Sequence, residues 1–487
     1  MMLSEVIREK VMPVDVQVNG ISDDSRRTRP GDLFCAVTGE SHDGRAYVDD
    51  AIAAGAVAVL CDPPVLEAPV PVIGIEGLRC RLGEFAGRVL GHPGSAIEVI
   101  AVTGTNGKTS FTHLLAQALS EIDWKTGLVG TMGHGTPGRL RRPGLTTPPA
   151  VDLQYRLKEL VDDGCSAVVL EASSHGLVQD RLGGVEIDTA VFTNITHDHL
   201  DYHESFSSYQ AAKRRLFEFE SIRNAVINLD DDFSASLIEQ LRADLNIVRF
   251  SRDDSSADVH ATRIDCTPDG LELGICVGDD LVEVKLPLFG RFNVENVLAV
   301  VATLVAMNIN LRDVESALGA LTPVAGRMDL VKRAGKPTFI VDYAHTPDAL
   351  EKCLQAVRDH FDGCRVHCVF GCGGDRDRDK RPMMGEIAAR LSSRVVLTSD
   401  NPRSEDPLSI IEDIRAGMAA GAVESCPDRG QAIEAAVAGA EKDDVVLVAG
   451  KGHEEYQELG DGRIAFSDYE AIEESLKKWP ANNGRGE

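Results

Sequence analysis

Aromatic side chains, positive charge and long apolar stretches are all scarce in this sequence. Phe, Trp and Tyr make up 5% of its 487 residues, and the formal net charge at pH 7 is -27. A molecule with that charge repels polyanions, which argues against sequence-independent binding to nucleic acid or to an acidic membrane surface. No run approaches the roughly 20 apolar residues of a membrane span, and the opening MMLSEVIREKVMPVDVQ lacks the apolar core of a secretory signal. We therefore expect a cytoplasmic protein.

The 11 cysteines are scattered through the chain, mostly in apolar runs typical of strands. This distribution indicates reduced thiols rather than a disulfide framework. Cys364, Cys368 and Cys372 form the one close group in the sequence, but their spacing lacks the paired arrangement of zinc sites. We interpret them as small apolar residues of a buried strand.

One pattern recurs along the chain: a short apolar run, a polar or glycine-rich turn, and a stretch with helical periodicity. This pattern is typical of α/β proteins, in which helices cover both faces of parallel sheets. Eight segments show it most clearly: EVIAVTGTNGKTS, SAVVLEASSHG, DTAVFTNITHDH, NAVINLDDD, PTFIVDYAHTP, RVHCVFGCGGDRDRD, RVVLTSDNPRSED and DVVLVAGKGHEE. Because open α/β sheets bind ligands beyond the carboxyl ends of their strands, we expect the functional residues in these turns.

The length favours two to four domains of about 100–200 residues each, and we expect three. The predicted boundaries are 1–95, 96–326 and 327–487, because His92-Pro93-Gly94 indicates a linker turn. Residues 245–290 contain alternating runs separated by Pro-Asp-Gly and Gly-Asp-Asp turns, which predicts an antiparallel β insertion. We expect the tail ANNGRGE to be disordered.

A phosphate-binding loop is the strongest motif. Thr103-Gly104-Thr105-Asn106-Gly107-Lys108-Thr109-Ser110 lies between the strand-like EVIAV and the helix-like FTHLLAQALS. Backbone N–H groups of such a loop bind phosphate, while Lys108 would reach the outer phosphates of a nucleotide and the Thr109 hydroxyl would hold Mg²⁺. A strict Walker pattern would have glycine at position 102, where this chain has valine, and a plain glycine-rich turn is the alternative interpretation.

Two further groups of residues follow strands in the same region. Glu171 ends a strand in LEASSHG, where its carboxylate suits Mg²⁺. The run His197-Asp198-His199-Leu200-Asp201-Tyr202-His203 resembles the ligand spacing of binuclear zinc hydrolases, although Tyr202 interrupts it. Such a hydrolase would not need a phosphate-loop lysine, so the nucleotide interpretation is favoured. Lys213 follows on a predicted amphipathic helix and, taken alone, reads as a solvated side chain.

The last part of the chain places charged residues after its predicted strands. They are found with polar and glycine residues in the turns at Asp342, His345, Arg376, Asn401, Arg403, Gly450 and Glu454. Arginine presents a planar fork that fits a carboxylate, and glutamate is a natural partner for an ammonium group. This set predicts a site for an amino acid with extra charged groups. The DNPRSED turn can also be read as a helix N-cap, with Ser404 or Asp400 as the capping residue.

In this order the motifs resemble those of the Mur ligase family, which builds the peptide of bacterial cell walls. The resemblance covers essentially the whole chain and rests on DDSRRTRPGDLFCAVTGESHDGRAYV, TGTNGKTS, LTTPP, EASSHGLVQDRL, NITHDHLDYH with Lys213, GRFNVENVLA, GRMD, VDYAHTPDAL, GGDRDRDKRP, DNPRSEDP and AGKGHE. The short phosphate loop is the form that this family uses. The resemblance implies a UDP-binding N-terminal domain, a central ATPase domain of mostly parallel sheet and a Rossmann-like C-terminal domain.

The resemblance also implies roles for individual residues. Ser25 and His42 would contact the uridine nucleotide, and the muramoyl dipeptide would be held by Thr146, Thr147, Ser173, Gln179 and Arg181. ATP would be bound by the phosphate loop, Asn296, Arg327 and Asp342. Lys213 falls where the family carries a carbamylated lysine, which would hold one Mg²⁺ near His199, while Thr109 and Glu171 would hold another.

The implied activity is an ATP-dependent ligation through an acyl phosphate, with Lys108, Lys213 and His199 as catalytic residues. It would add meso-2,6-diaminopimelate to UDP-N-acetylmuramoyl-L-alanyl-D-glutamate. Arg403 in Asn401-Pro402-Arg403 favours diaminopimelate, because lysine lacks the distal carboxylate that an arginine fork would pair with. Arg376, Gly450 and Glu454 would hold the same end of the amino acid. Lysine as the amino acid, a recycled tripeptide as the substrate in place of the dipeptide, and a P-loop regulator of a protein partner stay open as alternatives.

Overall fold

The computed structural model describes residues 1–8, 14–39, 43–141, 144–418, 423–460 and 462–479. The tail expected to be disordered lies outside these residues, as does His42. The chain forms two compact units, Met1–His260 with Asn296–Ala320, and Ala261–Glu295 with Leu321–Glu487.

A small parallel sheet opens the first unit. Its strands, in spatial order, are β1 (Gly20–Ser22), β2 (Asp32–Ala36), β3 (Ala58–Cys61) and β4 (Val72–Gly74). The helices of this region are α1 (Leu3–Ile7), α2 (Val48–Ala53) and α3 (Leu78–Leu90). Alternate strand residues enter two separate cores: Leu33 and Leu60 lie in one, and Phe34 and Val59 in the other. Both faces are covered, which is why these strands are apolar throughout.

The larger sheet of the first unit is parallel over most of its width. Its strands are β5 (Glu98–Thr103), β6 (Thr126–Gly130), β7 (Gly133–Thr136), β8 (Arg139–Arg141), β9 (Ala167–Glu171), β10 (Thr189–Phe192), β11 (Asn224–Asn228), β12 (Asn246–Ser251) and the start of β13 (Val259–Thr267). The order is β13-β12-β11-β10-β5-β9-β6-β7-β8, and only the β6–β7 and β7–β8 pairs of this part are antiparallel. Strand β5 has β9 on one side and β10 on the other, so the switch point of the sheet lies at the end of β5.

The helices of this part of the chain are α4 (Lys108–Glu121), α5 (Ala150–Asp162), α6 (Ser174–Val178), α7 (Leu200–His203), α8 (Phe206–Arg214), α9 (Phe233–Ile238), α10 (Phe292–Ala306) and α11 (Leu311–Gly319). Helices α5, α6, α8 and α9 contribute residues to one core of the sheet, which includes Val99, Val168 and Phe192. The caps are local: Ser173 accepts from Gly176 N–H at the start of α6, and Asn310 accepts from Asp313 N–H at the start of α11.

The second unit contains an antiparallel hairpin and a six-stranded sheet in its described residues. The hairpin is β14 (Gly270–Val277) with β15 (Asp280–Leu286). The sheet has the order β16 (Asp329–Val331), β17 (Thr338–Asp342), β21 (Val445–Ala449), β18 (Val366–Phe370), β19 (Arg394–Leu397) and β20 (Glu424–Ser425), with β16 antiparallel and the others parallel. A second hairpin is β22 (Tyr456–Leu459) with β23 (Gly462–Ala465). The helices are α12 (Pro347–His360), α13 (Lys380–Leu391), α14 (Pro407–Arg415), α15 (Arg429–Gly439) and α16 (Asp468–Lys478).

The prediction of an α/β protein with parallel sheets is confirmed, and each of the eight segments contains a strand. Three details were wrong. The insertion does not begin antiparallel at residue 245, because β12 pairs in parallel with β11. Cys364 lies half-buried in the turn before β18 rather than in the strand, and Cys372 lies buried beyond it. Helix α14 is capped by Asp406, which accepts from Ser409 N–H, and not by Ser404 or Asp400. The boundaries 1–95, 96–326 and 327–487 stay a prediction.

Candidate active site

The predicted phosphate loop connects β5 to α4 at the switch point of the large sheet. Gly104 has φ of +156° and Gly107 has φ of +87°, which side-chain-bearing residues rarely adopt. A Cβ atom on Gly107 would lie 2.6 Å from Asn296 Oδ1, and one on Gly104 would collide with Thr193 Oγ1. The loop therefore needs glycine at both places for conformation and for space.

The rest of the loop is held by the residues that follow β10. Asn106 N–H donates to Asn194 Oδ1 at 2.9 Å, and Thr105 N–H donates to the Asn194 carbonyl at 2.8 Å. Lys108 Nζ donates to the carbonyl oxygens of Gly104 at 2.7 Å and Thr105 at 3.0 Å. Its ammonium group thus lies over the loop, at the start of α4, where Ser110 is buried in the first turn.

Glu171 lies beside the loop at the end of β9 and is 2% exposed. Its Oε1 accepts from Thr109 Oγ1 at 3.1 Å and from Thr131 N–H at 3.0 Å, and its Oε2 accepts from Thr131 Oγ1 at 3.0 Å. All three of these donors are neutral groups. The adjacent oxygens of Thr109 and Glu171 are the kind of ligands that Mg²⁺ prefers.

Lys213 and His199 both lie near the ring of Tyr209. Lys213 is 1% exposed and its Nζ is 4.4 Å from the Tyr209 ring centre, which excludes the solvated interpretation. Burial, and then the positive charge of Lys108, hold the pKa of Lys213 well below its usual value. The His199 ring is about half exposed and its centre is 6.3 Å from that of Tyr209. The Tyr209 hydroxyl is 3.1 Å from Thr105 Oγ1, so this ring connects both residues to the phosphate loop.

The residues predicted to hold the dipeptide are joined by hydrogen bonds. Thr146 Oγ1 is 3.1 Å from Thr131 Oγ1, and Thr147 Oγ1 donates to the Glu171 carbonyl at 2.7 Å and is 2.9 Å from Ser173 Oγ. Arg181 Nη1 donates to the Thr147 carbonyl at 2.7 Å. This connected series therefore runs from the phosphate loop, through the end of β9, to Arg181.

Arg181 lines a cleft of about 840 Å³ in the first unit, together with Ser25, Arg79 and Gln179. That volume is within the range of about 300–1,000 Å³ found for small-molecule and cofactor sites. Its wall carries four arginines and three aspartates, and the arginines suit an anionic ligand such as a diphosphate.

Arg327 and Asp342 come together in the second unit. Asp342 Oδ2 accepts from Met328 N–H at 2.7 Å, and the Arg327 guanidinium lies 4.7 Å from the centre of the Tyr343 ring. Burial raises the pKa of Asp342, although the charge of Arg327 opposes this. The Tyr343 ring is in turn 5.5 Å from that of His453, so three of the quoted motifs meet here.

Asn401 and Glu454 are connected through Lys451, whose side chain is 0% exposed. Lys451 Nζ donates to Asn401 Oδ1 at 3.0 Å and to Glu454 Oε2 at 2.8 Å, and Asn401 Nδ2 donates to the same Glu454 oxygen at 2.9 Å. The side chain of Asn401 is therefore engaged in positioning its neighbours. Gly450 lies beside them with φ of +116°, where a Cβ atom would collide with Asp400 Oδ2.

Arg403 follows the buried Pro402, and its side chain is 28% exposed. It donates from Nε to Glu458 Oε2 at 3.1 Å and from Nη1 to the Gly374 carbonyl at 2.7 Å. A Cβ atom on Gly373 would lie 3.0 Å from Arg403 Nη1 and 3.7 Å from the exposed Arg376, so both arginines border Gly373.

Sequence reasoning missed several residues of these arrangements, among them Thr131, Tyr209, Lys451 and Glu458. Lys451 lies inside the AGKGHE motif and could have been found as a charged residue directly after an apolar run. Thr131, Tyr209 and Glu458 carry no such signal, because nothing local distinguishes them from surface residues.

Two observations bear on the zinc-hydrolase interpretation and on membrane-spanning helices. Across the residues that the structure describes, no group of three or more His, Cys, Asp or Glu side chains is arranged to hold a metal ion, so the zinc-hydrolase interpretation gains no support. In the same part of the chain, no helix is long and apolar enough to cross a membrane.

The fold and the site define an α/β protein with a glycine-rich phosphate loop at the switch point of a parallel sheet. Comparison with known proteins narrows this class: the chain belongs to the Mur ligase family. Residues 17–89 match the model described as "Mur ligase family, catalytic domain", residues 102–304 match the "Mur ligase middle domain", and residues 326–452 match the "Mur ligase, glutamate ligase domain".

Curated relatives match along nearly the whole chain. A protein of Ectopseudomonas mendocina and one of Pseudomonas aeruginosa, both named UDP-N-acetylmuramoyl-L-alanyl-D-glutamate--2,6-diaminopimelate ligase, are each 45% identical, over 96% of this chain and 96% of their own length. A solved structure with the same ligase in its name is 35% identical, with a TM-score of 0.73 over 98% of this chain and 99% of that one. The predicted family, ligase class and fold are therefore confirmed.

Proposed function

We propose that this chain ligates 2,6-diaminopimelate to UDP-N-acetylmuramoyl-L-alanyl-D-glutamate with the hydrolysis of ATP, in the cytoplasm. The observation that carries the proposal is the continuous hydrogen-bonded series from the phosphate loop, through Glu171 and Thr147, to Arg181 in the cleft. It would connect the proposed phosphate-donor site to the proposed acceptor site within one unit. The names of relatives that are 45% identical supply the substrates.

The acceptor is proposed to occupy the cleft of the first unit. Ser25 lines it and would contact the uridine nucleotide, with His42 outside the described residues. Gln179 and Arg181 also line it, and Thr146, Thr147 and Ser173 continue the polar series toward Glu171. This order would direct the dipeptide end of the acceptor toward the phosphate loop.

ATP is proposed to bind with its phosphates at the loop formed by residues 104–110. Lys108 would compensate the charge of the outer phosphates, and Asn296 lies against Gly107 in the same unit. Arg327 and Asp342 are proposed to bind ATP, as the family resemblance implies.

Magnesium fits the residues beside the loop. Thr109 and Glu171 offer adjacent oxygens in a buried place whose hydrogen-bond donors are neutral. When bound, Mg²⁺ would neutralise phosphate charge. A second ion is proposed to be held by His199 and by Lys213 as a carbamate. Carbamate formation joins the lysine nitrogen to the carbon of CO₂ with loss of a proton, and it requires the neutral amine, which the burial of Lys213 favours.

The proposed reaction has two steps. The D-glutamate carboxylate attacks the γ-phosphorus of ATP, the bond to ADP breaks, and an acyl phosphate forms. The amine of the amino acid then attacks the acyl carbon, phosphate leaves, and the nitrogen loses a proton. Lys108 would stabilise the charge that develops on phosphate oxygens in both steps.

The amino-acid site is proposed around Arg403 in the second unit. Arg403 and Arg376 border Gly373 and would pair with the distal carboxylate, while Glu454 and Gly450 would take the distal ammonium. Asn401 and Pro402 would hold the turn that carries Arg403. The meso isomer is part of the proposal.

Mass spectrometry of the product tests the proposal directly. The enzyme would receive ATP, the UDP-muramoyl dipeptide and a mixture of lysine, the diaminopimelate isomers and a diaminopimelate-containing tripeptide. We expect the mass of one added diaminopimelate, with ADP and phosphate released only when acceptor and amino acid are both present. Because the isomers have equal masses, each is also supplied separately, and we expect the product with the meso isomer. A lysine product, a tripeptide product, or ATP hydrolysis independent of the acceptor would contradict it.

A further inference from the structure

The hairpin β22–β23 is joined to the turn that carries Arg403. The Arg403 N–H donates to the Glu458 carbonyl at 3.1 Å, and the Gly460 N–H donates to the Arg403 carbonyl at 2.8 Å. Arg403 has φ of +51°, a left-handed conformation that non-glycine residues keep only where the surrounding structure imposes it. The hairpin therefore holds the backbone of Arg403 in an unusual conformation at the start of its side chain.

The Glu458 carboxylate is shared between two arginines. Its Oε2 accepts from Arg403 Nε at 3.1 Å, and its Oε1 accepts from Arg463 Nη2 at 2.6 Å and Nε at 2.9 Å. Two guanidinium groups around one carboxylate leave a net positive charge. Because Arg463 compensates Glu458, Arg403 can be held by a carboxylate and still attract an anion.

The geometry also selects which edge of the Arg403 guanidinium faces a ligand. In the described residues, its hydrogen bonds go from Nε to Glu458 and from Nη1 to the Gly374 carbonyl. The remaining N–H groups are one on Nη1 and two on Nη2, and one from each of these nitrogens can form the end-on edge of the guanidinium. That edge matches the two oxygens of a carboxylate in a bidentate pair.

We propose that Glu458 is a positioning residue for amino-acid selection, which holds Arg403 so that its end-on edge pairs with the distal carboxylate of diaminopimelate. This inference rests on the function proposed above and adds a second residue to the basis of its specificity. An arginine held in advance has already lost the rotamer freedom that binding would otherwise remove. Glu458 therefore strengthens binding of an amino acid that has the distal carboxylate, and leaves binding of lysine unchanged.

Steady-state kinetics of the full-length enzyme tests the proposal, with ATP and acceptor saturating and either diaminopimelate or lysine varied. Glu458→Ala is expected to raise KM for diaminopimelate about tenfold with kcat within about twofold, and to leave kcat/KM for lysine unchanged. Glu458→Gln keeps an acceptor for Arg403 Nε, so its KM should stay within about threefold of the wild type. Glu455→Ala, at an exposed position of the same segment, is the matched control and should change neither substrate.

Each other outcome overturns the inference. If Glu458→Ala had the same KM for diaminopimelate as Glu455→Ala, Arg403 would need no support from Glu458. Glu458 would contribute to stability alone if kcat/KM fell equally for both amino acids. The same would follow if kcat and the melting temperature fell while KM was unchanged. Failure of the function proposed above is separable, because the wild-type enzyme itself would then form no diaminopimelate product.

Discussion

Replacing Asp468 with alanine should destabilise the second unit strongly. Asp468 and Arg429 are both 0% exposed, and Arg429 donates from Nε to Asp468 Oδ1 at 2.7 Å and from Nη2 to Oδ2 at 2.8 Å. Alanine would leave the guanidinium charge in the interior without its carboxylate. Breaking a buried pair in this way destabilises a protein by about 3–5 kcal/mol, a large part of the roughly 5–15 kcal/mol of a typical domain.

The same substitution should impair amino-acid binding. Arg429 also donates to the carbonyl oxygens of Ala449 at 3.0 Å and Ser399 at 3.4 Å. These residues end β21 and follow β19, directly before Gly450 and the turn of Arg403. A displaced Arg429 would therefore loosen both turns, and we expect KM for diaminopimelate to rise while KM for the acceptor stays unchanged.

Urea unfolding, followed by tryptophan fluorescence, measures the loss of stability in Asp468→Ala. Trp479 reports on the second unit, since its Nε1 donates to the Ala440 carbonyl at 3.2 Å, and Trp124→Phe removes the other tryptophan of the chain. Lys478→Ala is the control, because it breaks an exposed pair with Glu434 and should change the free energy of unfolding by less than about 1 kcal/mol. A loss below about 1 kcal/mol for Asp468→Ala would refute the reasoning.

Three further predictions concern catalysis and specificity. Lys108→Ala should lower kcat by about a thousandfold or more, because it removes the cation placed over the phosphate loop, as initial-rate assays would show. Lys213→Ala should be nearly inactive and partly rescued by added acetate, since a small carboxylate can fill the place of a carbamate; activity against acetate concentration measures this. Arg403→Ala should reduce the preference for diaminopimelate over lysine, which the wild type should hold at roughly 10⁴–10⁵, measured as the ratio of the two kcat/KM values.

The outcomes that would contradict them are distinct. If folded Lys108→Ala kept more than about a tenth of the wild-type turnover, Lys108 would not have the catalytic role proposed for it. An unmodified Lys213 amine in well-resolved density of the folded, active enzyme would exclude the carbamate. Full preference for diaminopimelate in Arg403→Ala would show that other residues choose the amino acid.

The fold class was readable from the sequence because it depends on local patterns. Short apolar runs such as VVLVA predict strands buried on both faces, and the glycine-rich turn after β5 predicts a conformation that other residues rarely adopt. The one topological error, the antiparallel pairing expected for β12, arose because strand direction is decided by the partner strand and not by the strand's own residues.

The sequence alone determined where the candidate site residues lie along the chain, namely directly after the strands, because apolar runs and turn residues are local signals. Only the tertiary structure decided which of them meet. Thr109 contacts Glu171 across 62 positions, and Arg403 contacts Glu458 across 55. The structure also buried Lys213, which its helix alone would have left in solvent. Such contacts depend on strand order and on how hairpins pack, and residue periodicity predicts neither of these.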